Sequence, residues 1–297
     1  MKEFTTENKE AIRLALSEYC DNYASRNRAS ESLNGVSSAT VSQILNGKYE
    51  KVSDDMFVRI AAQIGYSFEH WVVTESRAIK EITFALTDAQ MYKNVTWVVG
   101  DAGCGKTTAA IDYRKKHRNV FYFLCSEDMR KGDFVREIAK QVGAPTDATN
   151  TRDILEYAIG MISFLNNPLL IFDEGDKLTD SVFNYFISIY NRLEGHSGIV
   201  FLSTDYIKRR MGVGLQYNKK GYKEINSRIG RRFFEVQATS RNDIHAICTA
   251  NGLTDAVAVG KVLKDAEASE NDLRRVKKMI HAQKRILESA RQKGGNE

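Results

Sequence analysis

Between residues 95 and 236, short apolar runs alternate with longer stretches whose apolar residues recur at helical spacing. The runs VTWVV (95–99), VFYFL (120–124), PLLIF (168–172), IVFLS (199–203) and FFEV (233–236) predict five strands. Strands separated by helices are the mark of an α/β unit with a parallel sheet. The flanks read differently, because both lack such runs. Residues 1–70 predict short helices only, and residues 71–94 a helical connector that turns at Tyr92-Lys93-Asn94 into the first strand. Residues 237–290 are helical and charged, with caps expected at Ser240, Thr254 and Ser269, and the tail RQKGGNE is expected to fray.

Within residues 1–70, a helix from Glu7 to Ala24 places Ile12, Leu14, Ala15, Leu16, Tyr19 and Tyr23 on an apolar stripe. A short piece, Ala29–Leu33, stops at Asn34-Gly35, and Ser37 or Ser38 caps a new helix that ends at Asn46-Gly47. A fourth helix follows Ser53, with Met56, Ile60, Ala61 and Ile64 facing inward. Two short helices joined by a Gly-containing turn form a helix-turn-helix pattern. GVSSATVSQILNGKYEKVS is similar to the DNA-reading element of phage-repressor-like domains. Val41, Ile44 and Leu45 are expected to pack inward, leaving Ser38, Ala39, Thr40, Ser42 and Gln43 toward a groove.

Residues 1–70 carry 8 basic and 10 acidic side chains, which is poor for gripping phosphates and argues against sequence-specific reading. The whole chain has a net charge of +5, and residues 205–232 concentrate nine Lys and Arg against Asp205 and Glu224. That block, with Lys208, Arg209, Arg210, Lys219, Lys220 and Lys223, predicts a phosphate-backbone surface. Gly212, Gly214 and Gly221 predict that it is a mobile loop able to order on a partner. The four cysteines are far apart with no C-x-x-C pair, so no disulfide framework or zinc site is indicated. No apolar run approaches the roughly 18 residues of a membrane span. The first residues, MKEFTTENKEAIR, lack a signal-peptide core, and a reduced bacterial cytoplasm is expected.

The stretch GDAGCGKT, Gly100 to Thr107, follows the first strand and opens a helix, matching G-x-x-x-x-G-K-[ST]. Backbone N–H groups of Gly100, Asp101, Ala102, Gly103, Cys104, Gly105, Lys106, Thr107 and Thr108 form the expected phosphate cradle. Lys106 neutralises phosphate charge, and Thr107 offers a hydroxyl to Mg²⁺. In NNPLLIFDEGDKL a buried strand ends at Asp173, whose carboxylate suits Mg²⁺ held through water. Glu174 is placed to polarise an attacking water, which favours ATP hydrolysis over nucleotide sensing. Cys104 is read as a tolerated small residue rather than a redox switch.

Two later segments complete a pattern. FLSTDY ends the fourth strand with Ser203 and Thr204, and EINSRIGRRFFEV places Arg228, Arg231 and Arg232 before the fifth. In SENDLRRVKKMI, Arg274 opens a helix. This order resembles the AAA+ ATPases. The resemblance implies that Ser203 or Thr204 senses the γ-phosphate and that Arg274 contacts it from a lid. It also implies that Arg228, with Arg231 its rival, reaches a neighbouring subunit's site as an arginine finger. The implied fold class is α/β: a P-loop AAA+ module with parallel sheet (95–236), preceded by an all-α helix-turn-helix domain (1–70). A small helical lid domain (237–297) follows.

With its SRIGRR cluster, this arrangement is similar to the transposition ATPases of the phage Mu B type and the IstB-like helpers. That likeness implies a phage- or transposon-encoded, ATP- and Mg²⁺-dependent homo-oligomer, ring or helical filament. It coats double-stranded DNA without strong sequence preference and offers it to a DDE-type transposase. In such assemblies loops facing the central axis grip nucleic acid, which makes Arg130 and Lys131 in CSEDMRKGDF candidate contacts. Two alternatives stay open: a helicase-loader ATPase, marked by contact with a hexameric helicase, and a nucleotide-switched transcriptional regulator, marked by a specific footprint.

Overall fold

The computed structural model describes residues 6–23, 25–66, 71–148 and 150–294. The chain divides into two compact units, 1–71 and 72–297.

In the first unit, helices α1 (Thr6–Asp21), α2 (Arg26–Glu31), α3 (Ser38–Leu45) and α4 (Asp54–Gln63) enclose a core of Ile12, Leu16, Ala29, Val41, Ile44, Phe57 and Ile60. Local caps fix the boundaries, because a Ser hydroxyl satisfies an N–H with no partner inside the helix. Ser37 accepts the Thr40 amide at 3.1 Å and Ser53 the Met56 amide at 3.3 Å. Ser25 does the same for Arg28, so the second helix starts and ends earlier than the expected Ala29–Leu33. The stripe on α1 is narrower than its apolar content suggests: Leu14 lies on the far face and is 53% exposed. On α4 Phe57 is buried where Met56 and Ile64 were expected, and both of those are half-buried. Ala24, the expected end of α1, and the tail beyond residue 294 lie outside the described residues.

In the second unit, α5 (Arg77–Tyr92) ends at Lys93, whose φ of 56° turns the chain into β1 (Val95–Val99). There follow α6 (Lys106–Lys116), β2 (Val120–Leu124), α7 (Lys131–Val142), α8 (Thr151–Ser163), β3 (Leu169–Asp173), α9 (Asp180–Leu193) and β4 (Gly198–Ser203). Then come α10 (Tyr206–Gln216), α11 (Tyr222–Arg228), a two-residue β5 (Phe234–Glu235), α12 (Arg241–Ala250), α13 (Ala256–Ala268) and α14 (Leu273–Gly294). The strands form one parallel sheet in the order β2-β3-β4-β1-β5.

Both sheet faces are covered, which is why the inner strands read as continuous apolar runs. On one face Trp97 stacks on Phe201 at 4.4 Å, and Phe201 on Phe172 at 5.2 Å. Each such side chain, fully buried, contributes about 2 to 3 kcal/mol. On the other face Val98, Ile171, Val200 and Leu202 meet α5 and α6 through Ile82, Leu86, Ala109 and Ala110. This register aligns the carboxyl ends of the strands, pairing Val99 with Ser203 and Leu124 with Asp173. Open α/β sheets bind ligands in the crevice beyond those ends.

The 205–232 segment is not a mobile loop but is largely two helices, α10 and α11. Gly214 is there for contact: a Cβ on it would lie 2.1 Å from the Tyr222 ring, so only glycine lets the two helices close. In the C-terminal helices Ser240 caps α12 as expected, but Asp255 rather than Thr254 caps α13, and Ser269 ends that helix. A carboxylate one residue later accepts the Ala258 amide at 2.8 Å. No helix among the described residues is long and apolar enough to cross a membrane.

Candidate nucleotide-binding site

The loop between β1 and α6 is shaped by Gly103 and Gly105, with φ of 78° and 103°, angles that L side chains rarely adopt. It turns the chain so that α6 opens at Lys106 with its first N–H groups toward the crevice, a site that favours anions. The Lys106 ammonium lies in the loop, donating to the carbonyls of Gly100 at 2.7 Å and Asp101 at 2.9 Å. Asp101, Ala102, Thr107 and Thr108 are exposed on its rim. Cys104 is 4% exposed, and burial pushes its thiol up, so it is a packed side chain and not a nucleophile.

Asp173, 1% exposed at the end of β3, faces this loop. Its Oδ2 accepts the Thr107 hydroxyl at 2.6 Å and the Tyr122 hydroxyl at 2.8 Å, while Oδ1 accepts the Glu174 amide at 2.9 Å. A hydroxyl and a carboxylate in contact are a hard oxygen pair that fits Mg²⁺, which takes one or two protein ligands and fills the rest with water and phosphate. Among the described residues no group of three or more His, Cys, Asp or Glu could hold a metal ion. Burial, then the Asp173 charge, pushes the Tyr122 phenol far up, so it stays a donor.

Glu174 is turned by a left-handed backbone (φ 56°) and pairs with Lys177 at 2.5 Å. Ser203 is buried, taking a hydrogen bond from Trp97 Nε1 at 2.8 Å and donating to the Thr204 carbonyl at 3.0 Å. Thr204 is half-buried and donates to Asp176 at 3.0 Å. Across the loop, the start of α14 meets Gly103: the Leu273 amide donates to its carbonyl at 3.1 Å. A Cβ on Gly103 would lie 2.1 Å from Asp272 Oδ1, and that same oxygen accepts the Arg274 amide at 2.7 Å. Arg274 is therefore brought beside the loop, with an exposed side chain.

Arg228, at the end of α11, stands over the Tyr190 ring at 4.9 Å and donates to Asn191 at 2.6 Å, both on α9. Arg231 and Arg232 are exposed beyond it. Of the basic candidates, Arg209, Lys220 and Lys223 are exposed, while Lys208 pairs with Glu235 and Lys219 with Asp180. Arg210 is removed from the surface reading. Its side chain is 13% exposed and donates to Asp180 at 2.7 Å, Tyr222 at 3.0 Å and the Asp176 carbonyl at 2.9 Å. A guanidinium so engaged ties α9, α10 and α11 together. Arg130 and Lys131 open α7 and are exposed. In the first unit Gln43 is half-buried, and the Thr40 hydroxyl is 2.8 Å from Ser37, inside the α3 cap.

Four contributors escaped the sequence reading: Tyr122, Asp176, Lys177 and Asp272. Only Tyr122 left a signal, a phenol inside an apolar strand that needs a polar partner once buried.

Residues 89–211 match a family described as an AAA domain. Over 249 residues the chain is 27% identical to the Mu-like prophage FluMu DNA transposition protein B of Haemophilus influenzae, covering 81% of this chain and 85% of that protein. It is 24% identical over 225 residues to the ATP-dependent target DNA activator B of Escherichia phage Mu, covering 73% of this chain and 70% of the relative. The activator of the same name from phage D108 matches to the same extent. Among solved structures, the Aeropyrum pernix ORC1 protein in complex with DNA superposes with a TM-score of 0.52 at 16% identity, over 71% of this chain and 59% of that one. That last likeness is one of fold. The chain thus carries a P-loop α/β fold of AAA+ type with a parallel sheet, and it resembles the Mu B transposition ATPases.

Proposed function

We propose that this chain is a Mg²⁺-dependent ATP hydrolase that, when ATP-bound, assembles as a ring or helical filament on double-stranded DNA. It binds with little sequence preference and presents the DNA to a DDE-type transposase, in a bacterial cytoplasm. The observation that carries the reading is the Thr107–Asp173 contact of 2.6 Å beside the Lys106 loop. The named role of the relatives, ATP-dependent activation of target DNA, supports DNA as the partner.

In this reading the Gly100–Thr107 amides and Lys106 would hold the phosphates, and Thr107 and Asp173 would hold Mg²⁺, which when bound would supply charge neutralisation to them. Glu174 orients and deprotonates the attacking water, and to do so it leaves Lys177. Thr204 is favoured over Ser203 as γ-phosphate sensor, because Ser203 is buried with its hydroxyl between Trp97 and the Thr204 carbonyl, whereas Thr204 is half-buried and has only Asp176 to leave. Arg274 reaches in from the lid formed by α12, α13 and α14. Arg228 is favoured as the finger for the neighbouring subunit, since Tyr190 and Asn191 hold it in one place. Arg130, Lys131, Arg209, Lys220 and Lys223 supply phosphate contacts, and the helix-turn-helix of α2 and α3 adds weak ones.

The test is Glu174→Gln, which keeps shape and removes the base. ATP binding is expected to persist while hydrolysis falls at least about 10-fold. Near-normal turnover would remove Glu174 from this role.

A further inference from the structure

Tyr122 sits at the middle of β2, an edge strand, with its ring packed against the cluster that joins the sheet to α5 and α6. From there its hydroxyl reaches past two residues of register to Asp173, which pairs with Leu124 and not with Tyr122. An ionised carboxylate offers about four lone-pair sites on its two oxygens. Here Oδ2 takes Thr107 and Tyr122, and Oδ1 takes the Glu174 amide. Three sites are filled, and the fourth is on Oδ1.

We propose that Tyr122 is a positioning residue for Mg²⁺: by occupying Oδ2 it fixes the Asp173 carboxylate and leaves a single acceptor, on Oδ1, for a metal-bound water. This rests on the nucleotide–Mg²⁺ reading of the site. Without the phenol, the carboxylate keeps Thr107 on Oδ2 and the Glu174 amide on Oδ1, each oxygen then has one acceptor site open, and the two compete for the same water. Partners that orient ligating groups in this way cost about 10- to 100-fold in metal affinity when removed. A phenol present only to fill its own hydrogen bond would leave metal affinity unmoved.

Tyr122→Phe removes one oxygen and keeps the ring that packs, and thermal melting verifies that the full chain is folded. The probe is methylanthraniloyl-labelled ADP, whose fluorescence reports binding in EDTA and then across a Mg²⁺ titration. The half-saturating Mg²⁺ concentration is expected to rise about 10-fold in Tyr122→Phe, with affinity in EDTA unchanged. In an Asp173→Asn background the same substitution is expected to add nothing, because Tyr122 acts through that carboxylate. Wild-type and Phe chains titrating together, or a Phe effect that persists in the Asn background, would overturn the proposal. A wild-type chain that binds the nucleotide with no Mg²⁺ dependence would instead overturn the Mg²⁺ reading beneath it.

Discussion

Gly212 and Gly214 are two residues apart in α10, and alanine at each is predicted to change stability in opposite directions. Gly214 is buried, and its new Cβ would lie 2.1 Å from Tyr222 Cδ1, too close for any rotamer of that ring to ignore. Tyr222 is 1% exposed and donates to Asp180 at 2.7 Å, so moving it also loosens the pair with Arg210. Overpacking costs about 1 to 3 kcal/mol and a hydrogen bond to a charged group about 1.5 to 3, against about 1 gained from helix propensity. The net is a loss of about 1.5 to 5 kcal/mol. Gly212 is exposed with nothing within 4 Å of its Cβ, so the same change there gains about 0.5 to 1 kcal/mol. Because the chain has two compact units, hydrogen exchange of α10 and α11 is a better assay than a single melting curve. Gly214→Ala is expected to speed exchange there at least about 10-fold and Gly212→Ala to slow it, at tenfold per 1.4 kcal/mol. Equal and favourable effects at both positions would show a mobile segment and refute the packed arrangement.

Other outcomes follow from the same contacts. Arg210→Met is expected to destabilise α10 and α11 by about 1 to 3 kcal/mol, reduced from a fully buried pair because Asp180 is half-exposed, and exchange again reads it. Burial raises Asp180, but hydrogen bonds from Tyr222 and Arg210 outweigh it and the folded value is lowered. That stability is therefore present above the ordinary carboxylate range near 4 and is lost as pH falls through the lower folded value; the acid limb should flatten in the Met variant. Mixing Arg228→Ala with Lys106→Ala chains, each inactive alone, should restore part of the ATPase, because some interfaces pair an intact site with an intact finger. No recovery at any ratio, with mixed oligomers confirmed, would rule out a trans role. Deleting residues 1–70 should leave ATP hydrolysis largely intact and lower DNA affinity only moderately.

What the sequence shows plainly is what local chemistry decides. The phosphate loop carries its own glycines, lysine and threonine, and the strands carry runs apolar enough to be buried on both faces. Ser37, Ser53 and Ser240 cap helices because the acceptor and the amide it serves are three residues apart. Where two caps compete locally, as Thr254 and Asp255 do, the pattern alone does not choose. Tyr122 was hidden because its partner comes from a neighbouring strand, and only register brings the two together. Arg210 was hidden for a related reason: a basic run looks solvated until α9 supplies Asp180 and the carbonyl of Asp176 lies within reach. Gly214 misled because glycine serves close packing and flexible loops alike, and the chain alone does not say which.

In the proposed assembly, ATP joins subunits into one continuous basic track along DNA. In that proposal the exposed cations of one subunit's share of the track, Arg130, Lys131, Arg209, Lys220 and Lys223, hold duplex DNA only weakly by themselves at physiological salt. The direct measurement is fluorescence anisotropy of duplexes of unrelated sequence with ATP, with ADP and without nucleotide, across a salt series. Binding is expected to be tight with ATP only, similar for every duplex and weakened by Arg130→Ala with Lys131→Ala. Affinity should fall with a log–log salt slope of about −0.9 per phosphate neutralised. Equal affinity with and without ATP, or a single strongly preferred sequence, would contradict it.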